Sequence, residues 1–314
     1  MIPPDDTVIG CEGPRGQWWD VAGPDQWKQG IALADEESGT DFDGMFDPPV
    51  TALYNSTAYE IGATFNGIKE DKYDFALAFE IMSLPNMPWA RIDSAFRNSW
   101  SYKRDSKIWV TADGSRRYLP VRLAGKPRLK TNNDPNSEKT ARITLPLVAG
   151  YPRWIEAPQP SSFITQTDTT GGGTETGHVW VDNPLPEDYD AYPIWDIQAA
   201  AEGITVTLPD YSWGNDLHER ADEDALRKVV LAPLHLGEHL HITVDPMSMG
   251  GQFNTATKSE YSGRMGGIRL MYPIPGGGVV PRQQIPVTVT GAPIGTRIRL
   301  TVPREWPRPW GLDE

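Results

Sequence analysis

The sequence has little of the chemistry on which most enzymes depend. Its 314 residues include one cysteine, Cys11, and five histidines. A single cysteine excludes an internal disulfide and a zinc site built from several thiolates. The chain has no G-x-S-x-G motif, and no histidine precedes His178 to serve as a general base in the first half. The residues therefore predict no enzyme activity, no catalytic residue and no cofactor.

Long apolar runs and an excess of positive charge are also absent. No run approaches the length that spans a bilayer, and the opening MIPPDDT lacks the basic and apolar regions of a signal peptide. The formal net charge is −13 and the sequence pI is about 4.9, which argues against a nucleic-acid or phosphate-binding surface. We expect a protein that is synthesised in the host cytoplasm, inserts into no membrane and binds no nucleic acid.

Glycine, proline and tryptophan are abundant instead. The 30 glycines and 29 prolines follow no repeat and indicate many short strands separated by turns, so the predicted fold class is mainly β. The length favours two domains. Twelve tryptophans are the compositional excess, and tryptophan is enriched both in protein interfaces and on surfaces that bind sugars.

A helix followed by a hairpin is predicted at the centre of the first half. Trp89, Ile92, Phe96 and Trp100 recur at spacings of three and four, which is the pattern of one apolar helix face. Asp93 and Arg97 are spaced to pair on its outer face.

The hairpin follows between residues 106 and 123, with Ala112-Asp113-Gly114 as its turn. Trp109 alternates with Ile108 and Val110. Since Trp100 and Trp109 cannot both be buried on one side of a two-stranded unit, we expect one of them to pack on a neighbouring subunit.

A stretch rich in Pro, Ser, Thr and Gly, residues 157–173, predicts the boundary between domains 1–157 and 158–314. Before it, residues 50–65, 73–82 and 141–148 are predicted strands. After it, short strands at regular intervals predict an antiparallel β-sandwich. Those strands are expected at 178–181, 193–197, 204–208, 228–231, 239–244, 267–272, 287–290 and 297–302.

The order of motifs resembles the distal tail proteins of siphophages, and most closely the minor tail proteins of phages that infect actinobacteria. In the second half the resemblance lies in Asn183-Pro184, in Tyr192-Pro193-Ile194-Trp195, in residues 234–246 and in the Trp- and Pro-rich end, residues 303–311. In the first half it lies in residues 100–123 and in Tyr151-Pro152-Arg153-Trp154.

The resemblance implies an N-terminal ring-forming belt domain followed by a galectin-like β-sandwich. It further implies a structural virion protein that forms a ring, usually six-fold, at the distal end of the tail. Such a ring would join the tail-tube protein and tape measure to the tail-tip hub and fibre proteins. The long N-terminal arm with its acidic loop and the insertion at residues 210–227 depart from this pattern.

Two other function classes stay open from the residues. Galectin-like sandwiches bind sugars in some proteins, so a carbohydrate-binding module is the main alternative. Trp180 and Trp195 lie in apolar strand patterns that predict burial, which leaves Trp213 in its loop as the candidate glycan contact. A glycoside hydrolase built on the acidic run around residues 210–224 is a more remote alternative, because close carboxylates in one loop are usually only solvated.

The cluster His235, His239 and His241 is the one candidate metal site. His239 and His241 would point to the same face of a strand, but no cysteine adjoins and Glu238 would lie opposite. Ordinary strand histidines explain the pattern better, and no metal is predicted.

Overall fold

A computed structural model describes residues 7–47, 49–112 and 114–312. Asp113, at the centre of the predicted hairpin turn, lies outside the described residues. The fold is mainly β, as predicted, with four short helices in the described part of the chain. The chain divides into two compact units. One comprises Met1–Glu156 and Trp306–Gly311, and the other comprises Ala157–Glu305 and Leu312–Glu314.

The first unit is organised around a strongly curved antiparallel sheet. Its strands are ordered β2-β1-β7-β8-β10-β6-β3, and β9, β11 and β21 pair off this path. The elements are β1 (Val8–Glu12), β2 (Trp18–Ala22), β3 (Ile31–Leu33), α1 (Phe42–Phe46), β4 (Val50–Asn55), β5 (Thr64–Glu70), β6 (Tyr73–Met82), α2 (Trp89–Arg97), β7 (Ser106–Ala112), β8 (Ser115–Leu123), β9 (Arg128–Lys130), α3 (Pro135–Glu138), β10 (Thr140–Ala149), β11 (Trp154–Glu156) and β21 (Arg304–Trp306).

The core of this unit lies where β6 meets α2. Strand β6 alternates as predicted and buries Phe79, among other apolar residues, on one side. The helix buries Trp89, Ile92 and Phe96 at the predicted spacing, and Phe96 meets Phe79 edge to face with 4.9 Å between ring centroids. On its outer face Asp93 accepts from Arg97 Nε at 2.9 Å.

Residues Trp306–Gly311 belong to the first unit, although the sequence predicts that all of 158–314 lies in the second domain. The reason is a buried cation: Arg117 of β8 is fully buried, and its guanidinium lies 3.7 Å from the centroid of the Trp306 ring. The same guanidinium donates to the carbonyls of Arg308 and Gly311 at 3.0 Å. Trp306 Nε1 donates to Glu156 at 2.6 Å.

The second unit is the expected antiparallel β-sandwich. One sheet has five strands in the order β12-β20-β14-β17-β18, and the other has four in the order β13-β19-β15-β16. The elements are β12 (Ser161–Ile164), β13 (Thr174–Val181), β14 (Ile194–Ile197), β15 (Thr205–Pro209), β16 (Lys228–Val230), β17 (Leu240–Thr243), β18 (Phe253–Thr255), α4 (Tyr261–Arg264), β19 (Gln283–Thr290) and β20 (Arg297–Thr301). Alternate residues of both sheets, including Trp195, Ile298, Val206 and Val287, are buried between them.

Two sequence predictions for this unit are wrong. Residues 267–272 form no strand, and Gln252 instead fixes this segment through hydrogen bonds to the backbone of Leu270. Trp180 was expected in the core because it lies between two valines. Strand alternation instead buries Val179 and Val181 and leaves Trp180 45% exposed, with Arg282 over its ring at 5.2 Å.

Candidate functional site

The most conspicuous surface of the first unit is the hairpin formed by β4 and β5, residues 50–70, here called the hairpin arm. Its two strands pair only with each other in the described sheets. Nearly all of its residues are exposed. Seven large apolar side chains in it are exposed to solvent: Val50, Leu53, Tyr54, Tyr59, Ile61, Phe65 and Ile68.

The register of the hairpin arm collects apolar side chains on one face. Ala52 pairs with Ile68 and Tyr54 pairs with Phe65 across the ladder, and a bulge beside Leu53 is accommodated by Gly67 at φ +118°. The rings of Tyr54 and Phe65 meet at 5.7 Å. The opposite face carries the pair Thr51 and Lys69. An isolated two-stranded hairpin is at best marginally stable in water, so an apolar face of this kind indicates a contact surface.

The two tryptophans predicted for a subunit interface lie in different surroundings. Trp100 is 6% exposed and packs against Phe96 and Phe79 in the core of its own unit, so it offers little surface to a neighbour. Trp109 points out of the sheet, between the inward-facing Ile108 and Val110. Of the two side chains, Trp109 therefore presents more surface to a neighbouring subunit than Trp100.

Trp109 belongs to an aromatic cluster on the outer face of the sheet, formed with Trp18 and Tyr118. Its ring lies 4.7 Å from that of Tyr118 and 6.3 Å from that of Trp18. Arg116 covers Trp109 at 4.5 Å, and Trp109 Nε1 donates to Glu12 at 2.8 Å. The four strands β2, β1, β7 and β8 hold these groups in register. The cluster is a fixed, half-buried platform of the composition that is enriched in protein interfaces.

The acidic insertion at residues 210–227 is more buried than the sequence suggested. Asp210 has a side chain that is 1% exposed, accepts from the backbone N–H groups of Met271 and Tyr272, and pairs with Arg227. Asp224 accepts from Tyr272 Oη at 2.5 Å, and this hydrogen bond lowers the pKa of Asp224. Both carboxylates are engaged in holding the insertion in place, which leaves neither free for acid–base catalysis.

Trp213, the candidate glycan contact, is half-buried within the same insertion. Its backbone adopts φ +56°, and its ring packs edge to face on Tyr211 at 5.3 Å. The space beside it has a volume of only about 20 Å³, too small for a sugar ring. Trp195, the third tryptophan considered for a sugar site, is 1% exposed in the core. These positions support Trp213 as an anchor of its loop and give a sugar no platform there.

The three clustered histidines have separate partners. His235 Nδ1 lies 2.6 Å from Glu202, His241 Nδ1 lies 2.8 Å from Asp196, and His239 Nδ1 accepts from the backbone N–H of Ala199 at 3.1 Å. Across residues 7–47, 49–112 and 114–312, no group of three or more His, Cys, Asp or Glu side chains is arranged to hold a metal ion.

Glu238, next to this cluster, has a structural role that its sequence context did not reveal. Its carboxylate is buried and accepts from Arg264 at 2.5 Å, from the hydroxyl of Ser259, and from the backbone N–H of His235 at 3.0 Å. Burial acts to raise the pKa of Glu238, but the hydrogen bonds, led by that of Arg264, outweigh it and lower the pKa to about 2. Glu238 thereby ties the turn before β17 to helix α4.

Cys11 is buried in β1, and burial raises its pKa far above the ordinary range of a thiol. It is therefore an unreactive core residue. In the described part of the chain, no helix has the length and apolar character required to cross a bilayer.

No protein-family model matches the chain. The chain is 26% identical over 349 residues to the minor tail protein Gp27 of Mycobacterium phage D29, with 98% of this chain and 99% of the relative covered. It is 24% identical over 351 residues to the minor tail protein Gp27 of Mycobacterium phage L5, with the same coverage.

Among solved structures, the Dit (gp 19.1) protein of phage SPP1 matches with a TM-score of 0.53 at 7% identity. The match covers 95% of this chain and 98% of that one. At this identity the match establishes a shared fold, and it extends across both compact units.

Proposed function

Because this chain is a relative of the mycobacteriophage minor tail proteins and has the fold of a distal tail protein, we propose that it is a structural subunit of a phage tail tip that assembles into a closed ring. The family resemblance supplies the expected copy number of six. In the virion the ring would connect the tail-tube protein and tape measure on one side to hub and fibre proteins on the other. The relatives are tail proteins by name, and the proposal includes no catalytic step.

The observation that carries the proposal is the hairpin arm. A closed ring requires a heterologous interface, in which one patch of each subunit meets a different patch of its neighbour. An arm that exposes an apolar face, with Tyr54 and Phe65 at its centre, fits the first patch. The aromatic cluster around Trp109 is a fitting second patch, since it is fixed, half-buried and carries the exposed cation Arg116.

Replacing the centre of the apolar face tests this assignment. We expect the double variant Tyr54→Ser, Phe65→Ser to shift purified protein from ring to monomer in light scattering coupled to size exclusion. Truncating a central aromatic typically costs about 2 kcal/mol or more of association free energy per site. The matched control is Thr51→Ser, Lys69→Gln, which changes the other face of the same arm. If both double variants form rings equally well, the arm is not the ring contact.

The alternative of a carbohydrate-binding module at Trp213 is not favoured. A neutral sugar needs an exposed aromatic face bordered by polar groups, and Trp213 is engaged with Tyr211 beside a space too small for a sugar. We therefore expect Trp213→Ala to leave binding to cell-wall polysaccharide unchanged in calorimetry. Loss of such binding in this variant would reinstate the alternative.

A further inference from the structure

The outer face of the five-stranded sheet in the second unit forms a groove of about 950 Å³, here called the sheet groove. Its polar lining residues include Asp196, His239, His241, Asn254, Arg297 and Arg299. They come from β14, β17, β18 and β20 and from residues that adjoin these strands. The opposite side of the same strands is core, where Trp195, Ile298, Leu300 and Ile242 are buried. The sequence does carry a signal for this face, because charged and apolar residues alternate along β20.

Strand register places these polar groups in two rows. In the first, Arg299 pairs with Asp196, Asp196 with His241, and His241 with Asn254, so four strands contribute one side chain each. Neighbouring strands lie about 4.8 Å apart, so the row runs about 14 Å across the sheet.

The second row lies two residues further along the strands. The backbone N–H of Arg297 donates to Gln198 Oε1 at 3.1 Å, which holds Arg297 beside Gln198. His239 accepts a backbone N–H through Nδ1, so the proton of the neutral ring is on Nε2, the other nitrogen of the ring. The row therefore presents hydrogen-bond donors on side chains that are exposed.

The groove is cationic on an otherwise acidic protein. Asp196 already compensates Arg299, which it contacts at 2.8 Å, and it is also bonded to His241. Burial acts to raise the pKa of Asp196, but hydrogen bonds from His241 and Arg299 hold it below its ordinary value, so this carboxylate stays charged. Arg297, in contrast, makes no ion pair with any residue that the structure describes. With neutral histidines the lining carries one net positive charge, in a chain whose net charge is −13.

The lining offers charge and hydrogen bonds but no ring on which a sugar face would stack. It contains no Trp, Tyr or Phe, and the tryptophan of β14 faces the core. A concave row of guanidinium, imidazole and amide groups is suited to an oxyanion with hydroxyl groups around it, because guanidinium binds phosphate and carboxylate through paired N–H donors.

We propose that the sheet groove binds an oxyanion, phosphate or carboxylate, carried on a polyhydroxylated molecule, with Arg297 as the principal charge and His239 and Asn254 as hydrogen-bonding neighbours. This goes beyond ring assembly and uses a different unit of the chain. The net charge of the protein predicted no such surface, because the sum over all residues conceals a local excess on one face.

Calorimetry on the full chain with three probes tests the proposal. Glucose 6-phosphate and glucuronate represent the two oxyanions, and glucose is the neutral reference. We expect at least one charged probe to bind in a salt-sensitive manner while glucose does not, and the charged probe that binds identifies the oxyanion. Equal binding of glucose, or no binding of either charged probe at 50 mM ionic strength and about 10 mM probe, would overturn the proposal.

Variants locate the site and control for charge. Arg297→Gln should weaken binding about tenfold, as expected for losing a hydrogen bond to a charged group. Arg282→Gln, which removes an exposed arginine beside Trp180 on the other sheet, should not. Asp196→Asn should tighten binding, because it removes the one carboxylate of the lining and releases Arg299.

If Arg282→Gln weakens binding as much as Arg297→Gln does, the effect is one of overall charge and the groove is not the site. Ring formation by Arg297→Gln is expected to be unchanged, which separates this test from that of the ring.

Discussion

Individual buried charges in the second unit hold loops in place. Glu238 and Asp210 are both almost fully buried, and each binds an arginine together with one or more backbone N–H groups. Such pairs add little net stability compared with apolar residues, but removing one partner leaves the other charge uncompensated. The two carboxylates therefore explain how a loop-rich sandwich keeps its long connections ordered.

Glu238→Gln should lower the stability of the second unit at neutral pH. Because the folded-state pKa of Glu238 is about 2 and its ordinary value is 4.5, its contribution is fully present above pH 4.5 and is lost as the pH falls from 4.5 towards 2. The pKa difference sets an upper value of about 3 kcal/mol at pH 7. Thermal denaturation at fixed protein concentration, between pH 7 and pH 3, measures it.

The exposed Glu219→Gln in the neighbouring insertion is the control for Glu238→Gln. The wild-type and Glu238→Gln melting temperatures should converge as the pH is lowered, while Glu219→Gln should follow the wild type throughout. A Glu238→Gln melting curve that matches the wild type at pH 7 would show that the carboxylate contributes nothing.

At the scale of single elements, the two halves of the central segment serve different purposes. Helix α2 is part of the core, because Phe96 touches Phe79, Trp19 and Trp100. The hairpin of β7 and β8 contributes Ile108 and Val110 to that core and displays Trp109 and Tyr118 on its outer side. One segment thus supplies both the folding core and a platform for contact.

Trp100→Ala should therefore mainly lower subunit stability, and Trp109→Ala should mainly weaken ring formation. Trp100→Ala removes a large buried side chain and should destabilise the subunit by about 3–5 kcal/mol. Trp109→Ala should change subunit stability less and lower the fraction of rings in mass photometry. The opposite result would be a loss of rings in Trp100→Ala but not in Trp109→Ala, measured at a temperature where the Trp100→Ala subunit is folded. That result would show that Trp100, and not Trp109, is the interface residue.

Elements with strong local periodicity were predictable from the sequence, and long-range arrangements were not. The β6 strand and the α2 helix follow from spacings of two and three or four residues. The position of Trp306 in the first unit depends on its contact with Arg117, 189 positions earlier in the chain. Local sequence patterns do not predict a contact between residues so far apart. The sheet groove likewise depends on strand register. Asp196 and Arg299 are paired across neighbouring strands but are separated by 103 residues, so the local sequence does not predict that they meet. The prediction that Trp180 is buried is wrong for a different reason. It relied on the apolar neighbours Val179 and Val181, whereas strand alternation places Trp180 on the face opposite to theirs.

For the whole molecule, the chain is organised as two compact units, and the first is completed by the end of the chain. Trp306 to Gly311 supply an aromatic face and two carbonyls to a fully buried arginine. Glu156 of the same unit lies 3.8 Å from Arg117 Nε, but the guanidinium also donates hydrogen bonds to the Arg308 and Gly311 carbonyls. Because burying a charged group without its hydrogen bonds is costly, the first unit depends on residues that follow the second in sequence. Residues as far as Gly311 are therefore needed before the first unit is complete.

Truncation after Glu305 should destabilise the first unit and leave the second unit folded. The deletion removes the Trp306 ring and the carbonyls of Arg308 and Gly311, and it leaves Glu156, 3.8 Å from Arg117 Nε, as the ion-pair partner of Arg117. In scanning calorimetry the transition of the first unit should move to lower temperature. Truncation after Gly311, which removes only the last three residues, is the control and should match the full chain. If both truncations melt alike, the segment 306–311 is dispensable and the account of Arg117 is wrong.

The central claim, that this chain forms a closed ring, is tested most directly by the mass of the purified full-length protein. Mass photometry should show one discrete species near six times the chain mass of 34.9 kDa, with no ladder of larger species, because a ring closes. Class averages of the same sample in electron microscopy should show a ring with a central opening. A monomer at all concentrations, or a continuous series of open oligomers, would contradict the claim.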